Sequence, residues 1–199
     1  MNSNTIRLNH AFFAREAPIV ARDLLGRVLV RQLESGEQLR GRIVETEAYH
    51  GLSDTASHAR AGDKGRAALM YGEASCAYIY LIYGMYHMLN VVTDEPELPA
   101  AVLIRAVEPL EGIDTMLVLR PVKRSALTNG PGKLCQAMAI DRSLNGEDVI
   151  QSEALWFEPG VPLPHEEVGR SPRIGIDYAE PEHRELLWRF FQIGNKWVS

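Results

Sequence analysis

The stretch RIVETEAYHG, Arg42 to Gly51, sets Glu45, Glu47 and Tyr49 at alternate positions. Ile43 and Val44 give it strand character. Side chains on a strand alternate with period two, so all three fall on one face. Such a carboxylate pair can serve a metal ion, form a glycoside-hydrolase dyad, or supply one general base beside a structural neighbour. His50, Asp54 and His58 follow as further possible ligands. No HExxH or comparable helical spacing accompanies them, so the metal reading rests on proximity alone. A salt-bridged pair at a sheet edge is the plain alternative.

Three other features carry chemistry. Tyr71, Tyr78, Tyr80, Tyr83 and Tyr86 crowd one region. A buried tyrosine needs a partner for its hydroxyl, so such a cluster is a dear way to fill a core, whereas flat rings suit the stacking of a base. Tyr83 precedes Gly84 at a predicted hairpin tip, where an exposed ring can act as a wedge. Asn90 lies midway along an apolar strand and must find hydrogen bonds there. Arg105, inside AVLIRAV, is expensive unless paired, and Glu45 or Glu47 is the natural partner. NGPGK, with Lys133, reads either as a phosphate-cradling turn or as a plain helix start.

The elements that must position these residues follow from pattern. APIVARDLLG is a helix with Pro18 near its start and Gly26 at its stop. RVLVRQL and QLRGRIVETEAY flank the turn ESGE, predicting a hairpin over 27–48. Residues 50–75 predict short helices and loops. Tyr78 to Ile82 and Tyr86 to Val92 predict a second hairpin, AAVLIRAVEP a further strand, and LEGIDTMLVLR and the segment after Pro131 two helices. PRIGIDY and WRFFQIG predict closing strands. Without a regular βαβ rhythm, the fold class is α+β: a single domain over 1–199, with a mainly antiparallel, curved sheet surrounded by short helices.

The 199 residues suffice for a sizeable core, and 46% hydrophobic with 24% charged is ordinary globular composition. Net charge of −5 argues against broad electrostatic binding to nucleic acid but leaves room for a local basic face. Arg60, Lys64 and Arg66 form one cluster; Arg120, Lys123 and Arg124 form another, followed by Lys133. Two cysteines give neither a disulfide framework nor a zinc pattern. No apolar run is long enough to span a membrane and no signal peptide is evident, so a cytoplasmic protein is expected.

RIVETEAYHGLSDTASHA, YIYLIYGMYHMLN, AVLIRAVEPLEG and NGPGKLCQAMAID, in this order, resemble the 3-methyladenine (alkyladenine) DNA glycosylase family, as do RIGIDY and WRFFQIGNKWVS. The resemblance runs from about Leu8 onward and is looser at RAGDKGRAALMYG, where Ala67 stands in place of a frequent asparagine. It implies that Glu47 is the general base and that Arg105 helps hold the water and Glu47. It implies that Tyr49, His58 and Tyr80 wall the pocket for a flipped base. Asn90 would disfavour guanine, Tyr83 would fill the gap left in the duplex, and the backbone at Ile174 would position the water. The implied partner is double-stranded DNA with damaged purines, acted on without metal or cofactor; a monomer is expected, since a flipping enzyme needs one duplex face only. Arg60, Lys64, Lys123, Arg124 and Lys133 are the expected phosphate contacts, and Glu45 keeps a structural role.

Overall fold

A computed structural model describes residues 6–199; the first five residues of the expected domain lie outside it. The chain enters through two short helices, α1 (His10–Phe13) and α2 (Ala17–Asp23). Strands β1 (Val28–Gln32) and β2 (Gln38–His50) then form the expected hairpin. Two 3-10 segments, His58–Ala61 and Gly65–Tyr71, precede the second hairpin, β3 (Ala77–Ile82) and β4 (Tyr86–Thr93). The long strand β5 (Ala100–Glu111) leads to α3 (Ile113–Leu119) and α4 (Pro131–Ala137). Strands β6 (Leu155–Glu158) and β7 (Val168–Ser171), helix α5 (Pro181–Arg184) and strand β8 (Arg189–Gln192) complete the order.

All eight strands join one sheet, in the order β3-β4-β5-β2-β1-β6, with β8 pairing both β2 and β7. Every pairing is antiparallel. This is the α+β architecture expected. The central pair is β2 and β5, the two longest strands, and Ile43, Val44, Ala48, Val102 and Ile104 are fully buried there. Helix α2 lies against this pair, tied by the Thr46 hydroxyl donating to the Ala21 carbonyl at 2.7 Å. Phe13 and Phe157 meet edge to face in the same core, at 5.6 Å between ring centres.

Register along β2 and β5 is interrupted where the chemistry lies. Ile43 faces Val107, Glu45 faces Ala106 and Thr46 faces Ile104, so Val44 and Arg105 each have no residue opposite. Such bulges bend a strand and re-aim a side chain. Because each strand carries one extra residue, the two offsets cancel, and the alternation resumes with Glu47 opposite Leu103.

Two expectations are corrected. PRIGIDY is not a strand: β7 ends at Ser171, because Pro172 has no N–H for the ladder and Gly175 turns the chain at a φ of +76°. Strand β6, over LWFE, was not foreseen. It is four buried residues, too few to show a period.

Candidate active site

The carboxylates of Glu45 and Glu47 are both 0% exposed, and Arg105 joins them. Its Nε donates to Glu45 Oε1 at 2.8 Å, and its Nη1 lies 3.1 Å from Glu47 Oε1. Glu45 is saturated. Arg189 Nε donates to Oε1 at 2.7 Å, the Ser199 hydroxyl donates to the same oxygen at 2.9 Å, and the Ser199 N–H donates to Oε2 at 2.6 Å. Burial alone would raise the Glu45 carboxyl, but Arg105, the Ser199 N–H and Arg189 overcome it and hold the group below its ordinary value. Burial likewise disfavours the Arg105 charge, yet Glu47 and Glu45 together raise its pKa. The bulge at Arg105 thus turns a costly buried guanidinium into the link between the two carboxylates.

Glu47 differs from Glu45 in what it has left over. Its Oε1 accepts the Ile174 N–H at 2.7 Å, and its Oε2 accepts the Tyr49 hydroxyl at 2.9 Å. An ionised carboxylate offers about four acceptor sites. These two hydrogen bonds and the ion pair with Arg105 leave acceptor capacity for a further donor such as water.

Behind Tyr49 stands a pair the sequence did not announce. Arg173 and Asp54 are buried and bidentate, at 2.6 and 2.9 Å. The guanidinium lies 4.8 Å from the Tyr49 ring centre and 5.2 Å from that of Trp188, and it donates to the Ala48 carbonyl at 2.9 Å. Arg173 therefore fixes both the tyrosine ring and the loop whose next residue donates to Glu47. The candidate metal ligands are dispersed by these pairings: Asp54 belongs to Arg173 and Glu45 to Arg105 and Arg189. Among the described residues, no group of three His, Cys, Asp or Glu side chains converges.

A cavity of about 290 Å³ opens beside Arg105, and Tyr49, His58, Tyr80, Tyr83, Asn90 and Ile174 all line it. The structure thus brings the expected pocket residues together. His58 and Tyr80 meet edge to face at 4.6 Å between ring centres, forming one corner. His58 Nδ1 lies 2.9 Å from the Tyr78 hydroxyl. Burial, and then the charge of Arg66, lower the His58 imidazole below its ordinary value, while burial pushes the Tyr78 phenol up to about 12. Asn90 is 3% exposed, and its Nδ2 donates to the carbonyls of Tyr78 and Met88 at 3.0 and 3.3 Å. Leu103, Ile176 and Tyr178 line the same cavity and were not anticipated.

Tyr83 is 85% exposed at the tip of the β3–β4 hairpin. Tyr83 and Gly84 both have positive φ, +50° and +69°, and the Met85 N–H donates to the Ile82 carbonyl, as in a type I′ turn. Glycine adopts that conformation freely; tyrosine does not. Helix α4 braces the hairpin, since a Cβ at Gly132 would come within 3.0 Å of Tyr86. The NGPGK stretch is a helix start, and its Lys133 ammonium folds back onto the carbonyl and side-chain oxygen of Asn129 at 3.1 and 3.0 Å. Arg60, Lys64, Lys123 and Arg124 are exposed.

The family model described as Methylpurine-DNA glycosylase (MPG) matches residues 11–196. The chain belongs to the methylpurine-DNA glycosylase family. A protein of Methanocella arvoryzae is 50% identical over 190 residues, covering 94% of this chain and 93% of its own. Proteins of Clostridium perfringens strain SM101 and Natranaerobius thermophilus are each 44% identical, over 205 and 198 residues, covering 98% of this chain and 99% of their own. All three carry 3-methyladenine DNA glycosylase in their names. The span matched by the methylpurine-DNA glycosylase model takes in every cavity residue named above. Among the described residues, no helix is long and apolar enough to cross a membrane.

Proposed function

We propose that the protein flips an alkylated purine of the 3-methyladenine type out of duplex DNA and hydrolyses its N-glycosidic bond, leaving an abasic site. The observation that carries this reading is the spare acceptor capacity of Glu47, a buried carboxylate held by Arg105, Ile174 and Tyr49, all three of which line a base-sized aromatic cavity.

The flipped base lies between Tyr49 and the corner made by His58 and Tyr80. Extrusion costs a few kcal/mol, less at a damaged base. Tyr83, rigid at its hairpin tip, fills the vacated stack. An N-alkylated purine is cationic, and aromatic faces attract it by about 0.5–2 kcal/mol, which favours damage over normal bases. A neutral His58 does not oppose that charge. The Asn90 amide, whose Nδ2 is committed to two strand carbonyls, presents a fixed floor that disfavours guanine.

Glu47 takes a proton from water as the water oxygen bonds to C1′. The glycosidic electron pair leaves with the base, which departs neutral and needs no protonation. The oxocarbenium-like sugar is stabilised by the Glu47 charge. The Ile174 backbone carbonyl is a second water ligand. Among the described residues no lysine lines the cavity, which favours hydrolysis without a covalent amine intermediate, hence without strand cleavage. Arg60, Lys64, Lys123, Arg124 and Lys133 carry the phosphate contacts.

The test is release of methylated purines from duplex DNA treated with dimethyl sulfate, comparing wild type with Glu47→Gln. Release by wild type and its loss in the variant support the mechanism. No release by wild type, or equal release by both, overturns it.

A further inference from the structure

Glu47 is held from one side by Arg105, and Arg105 is held in turn by two groups, Glu45 and Ser199. Its Nη2 donates to the Ser199 hydroxyl oxygen at 3.1 Å. That same hydroxyl donates to Glu45 Oε1, and the Ser199 N–H donates to Glu45 Oε2. Arg189, opposite Glu47 in the β2–β8 register, reaches the Ser199 backbone oxygen at 3.1 Å through Nη2 and Glu45 through Nε. One small residue therefore closes a ring of charged groups that are otherwise drawn from three strands. Glu45 is wholly buried while Ser199 itself is exposed, so Ser199 stands between the carboxylate and solvent.

We propose that Ser199 is a positioning residue for the glycosylase reaction: its hydroxyl fixes the Arg105 guanidinium against Glu45 so that Nη1 meets Glu47. This rests on the reading of Glu47 as the base. The physical argument is one of counting. An arginine fork with one edge on Glu45 can still pivot about that edge; a second fixed partner at Nη2 removes the pivot. A base displaced by a fraction of an ångström loses rate without losing substrate affinity. Ser199 is 94 positions from Arg105, and among the described residues Arg105 is the only cavity residue it hydrogen-bonds, so its effect passes through the arginine.

The experiment compares wild type, Ser199→Ala and Ser199→Thr. Single-turnover release of methylpurines from dimethyl-sulfate-treated duplex is measured beside affinity for a duplex carrying a tetrahydrofuran abasic analogue. Ser199→Ala is expected to slow release roughly tenfold, as one hydrogen bond to a charged group would. Analogue affinity and melting temperature should stay unchanged, and Ser199→Thr, which keeps the hydroxyl, should restore the rate. A full rate in Ser199→Ala overturns the proposal, because water or Glu45 alone then suffices. Loss of affinity or melting temperature in parallel with rate also overturns it, since that marks a merely structural role. If wild type releases nothing, the glycosylase reading fails first and this proposal falls with it.

Discussion

The Tyr49 hydroxyl donates to Glu47 Oε2 at 2.9 Å, so the ring proposed to stack the base and the carboxylate proposed to activate water are bonded to each other. They sit two residues apart on β2, and the alternation of the strand puts both on one face. Burial first, and the Glu47 charge second, raise the Tyr49 phenol well above its ordinary value, so the hydroxyl remains a donor through the neutral range. Tyr49→Phe keeps the ring and deletes the bond. It should lower the single-turnover rate by roughly tenfold, the worth of one hydrogen bond to a charged acceptor, while affinity for damaged duplex holds. A Phe variant that binds poorly but cleaves normally would contradict the assignment.

Glu45 and Glu47 should separate by readout. Glu45→Gln leaves Arg105 and Arg189 around a neutral amide in a buried site, and breaking such a pair costs about 3–5 kcal/mol. Its denaturant midpoint should fall sharply. Glu47→Gln leaves Arg105 its bonds to Glu45 and Ser199, so the midpoint should move less. Loss of the base should slow base release by about 10²–10⁴-fold. Denaturation and single-turnover rates measured on both variants decide it; equal stability loss in the two would mean that Glu45 is not the hub.

What the sequence disclosed about this site was local. Period two placed Glu45, Glu47 and Tyr49 on one face, the isolated charge in AVLIRAV called for a carboxylate, and the YG dipeptide marked a hairpin tip. Resemblance then distinguished Glu47 from Glu45, which periodicity cannot do. The partners that fix those residues were hidden because they lie far along the chain. Arg173 meets Asp54 across 119 positions and Ser199 meets Glu45 across 154. The paired bulges at Val44 and Arg105 were equally hidden, since a bulge is a property of two strands in register. The misread strand at PRIGIDY is the exception: alternating Ile174 and Ile176 gave the period of a strand, and the local Pro172 and Gly175 gave a loop.

Tyr83 holds a left-handed backbone that costs a tyrosine on the order of 1 kcal/mol. Strain of this kind persists when the site needs the side chain. Tyr83→Gly relieves it, and the added freedom of the unfolded chain offsets the gain, so the melting temperature should change little. Methylpurine release from duplex DNA should drop clearly. Release from single-stranded methylated DNA, where no stack needs filling, should be nearly unaffected. Equal losses on both substrates would remove the wedge role.

The exposed cations predict a graded salt response. Each phosphate contact contributes about 0.9 to the slope of log affinity against log salt. Lys123→Glu or Arg124→Glu should weaken binding and reduce that slope by about one. Lys133→Glu should do less, because its ammonium is already committed to Asn129. Fluorescence anisotropy across a salt series gives the slopes, and a slope untouched by all three changes would move the phosphate contacts elsewhere.

His58 sets the acid limit. Its folded pKa is lowered, by burial foremost and by Arg66 second, so the unfolded chain takes up a proton at His58 before the native protein does. The stability that a neutral His58 contributes is therefore intact above its unfolded value of about 6.5 and is lost as pH falls through the lower folded value. Proton NMR should find the ring titrating below 6.5. Arg66→Ala should raise the midpoint only in part, since burial is the larger cause. His58→Gln should lose less stability than wild type between pH 7.5 and pH 5. Methylpurine release should fall over the same window in wild type, as a protonated ring against Tyr80 repels a cationic base. A ring that titrates at or above 6.5 in the native protein would break the link between its burial and its neutrality.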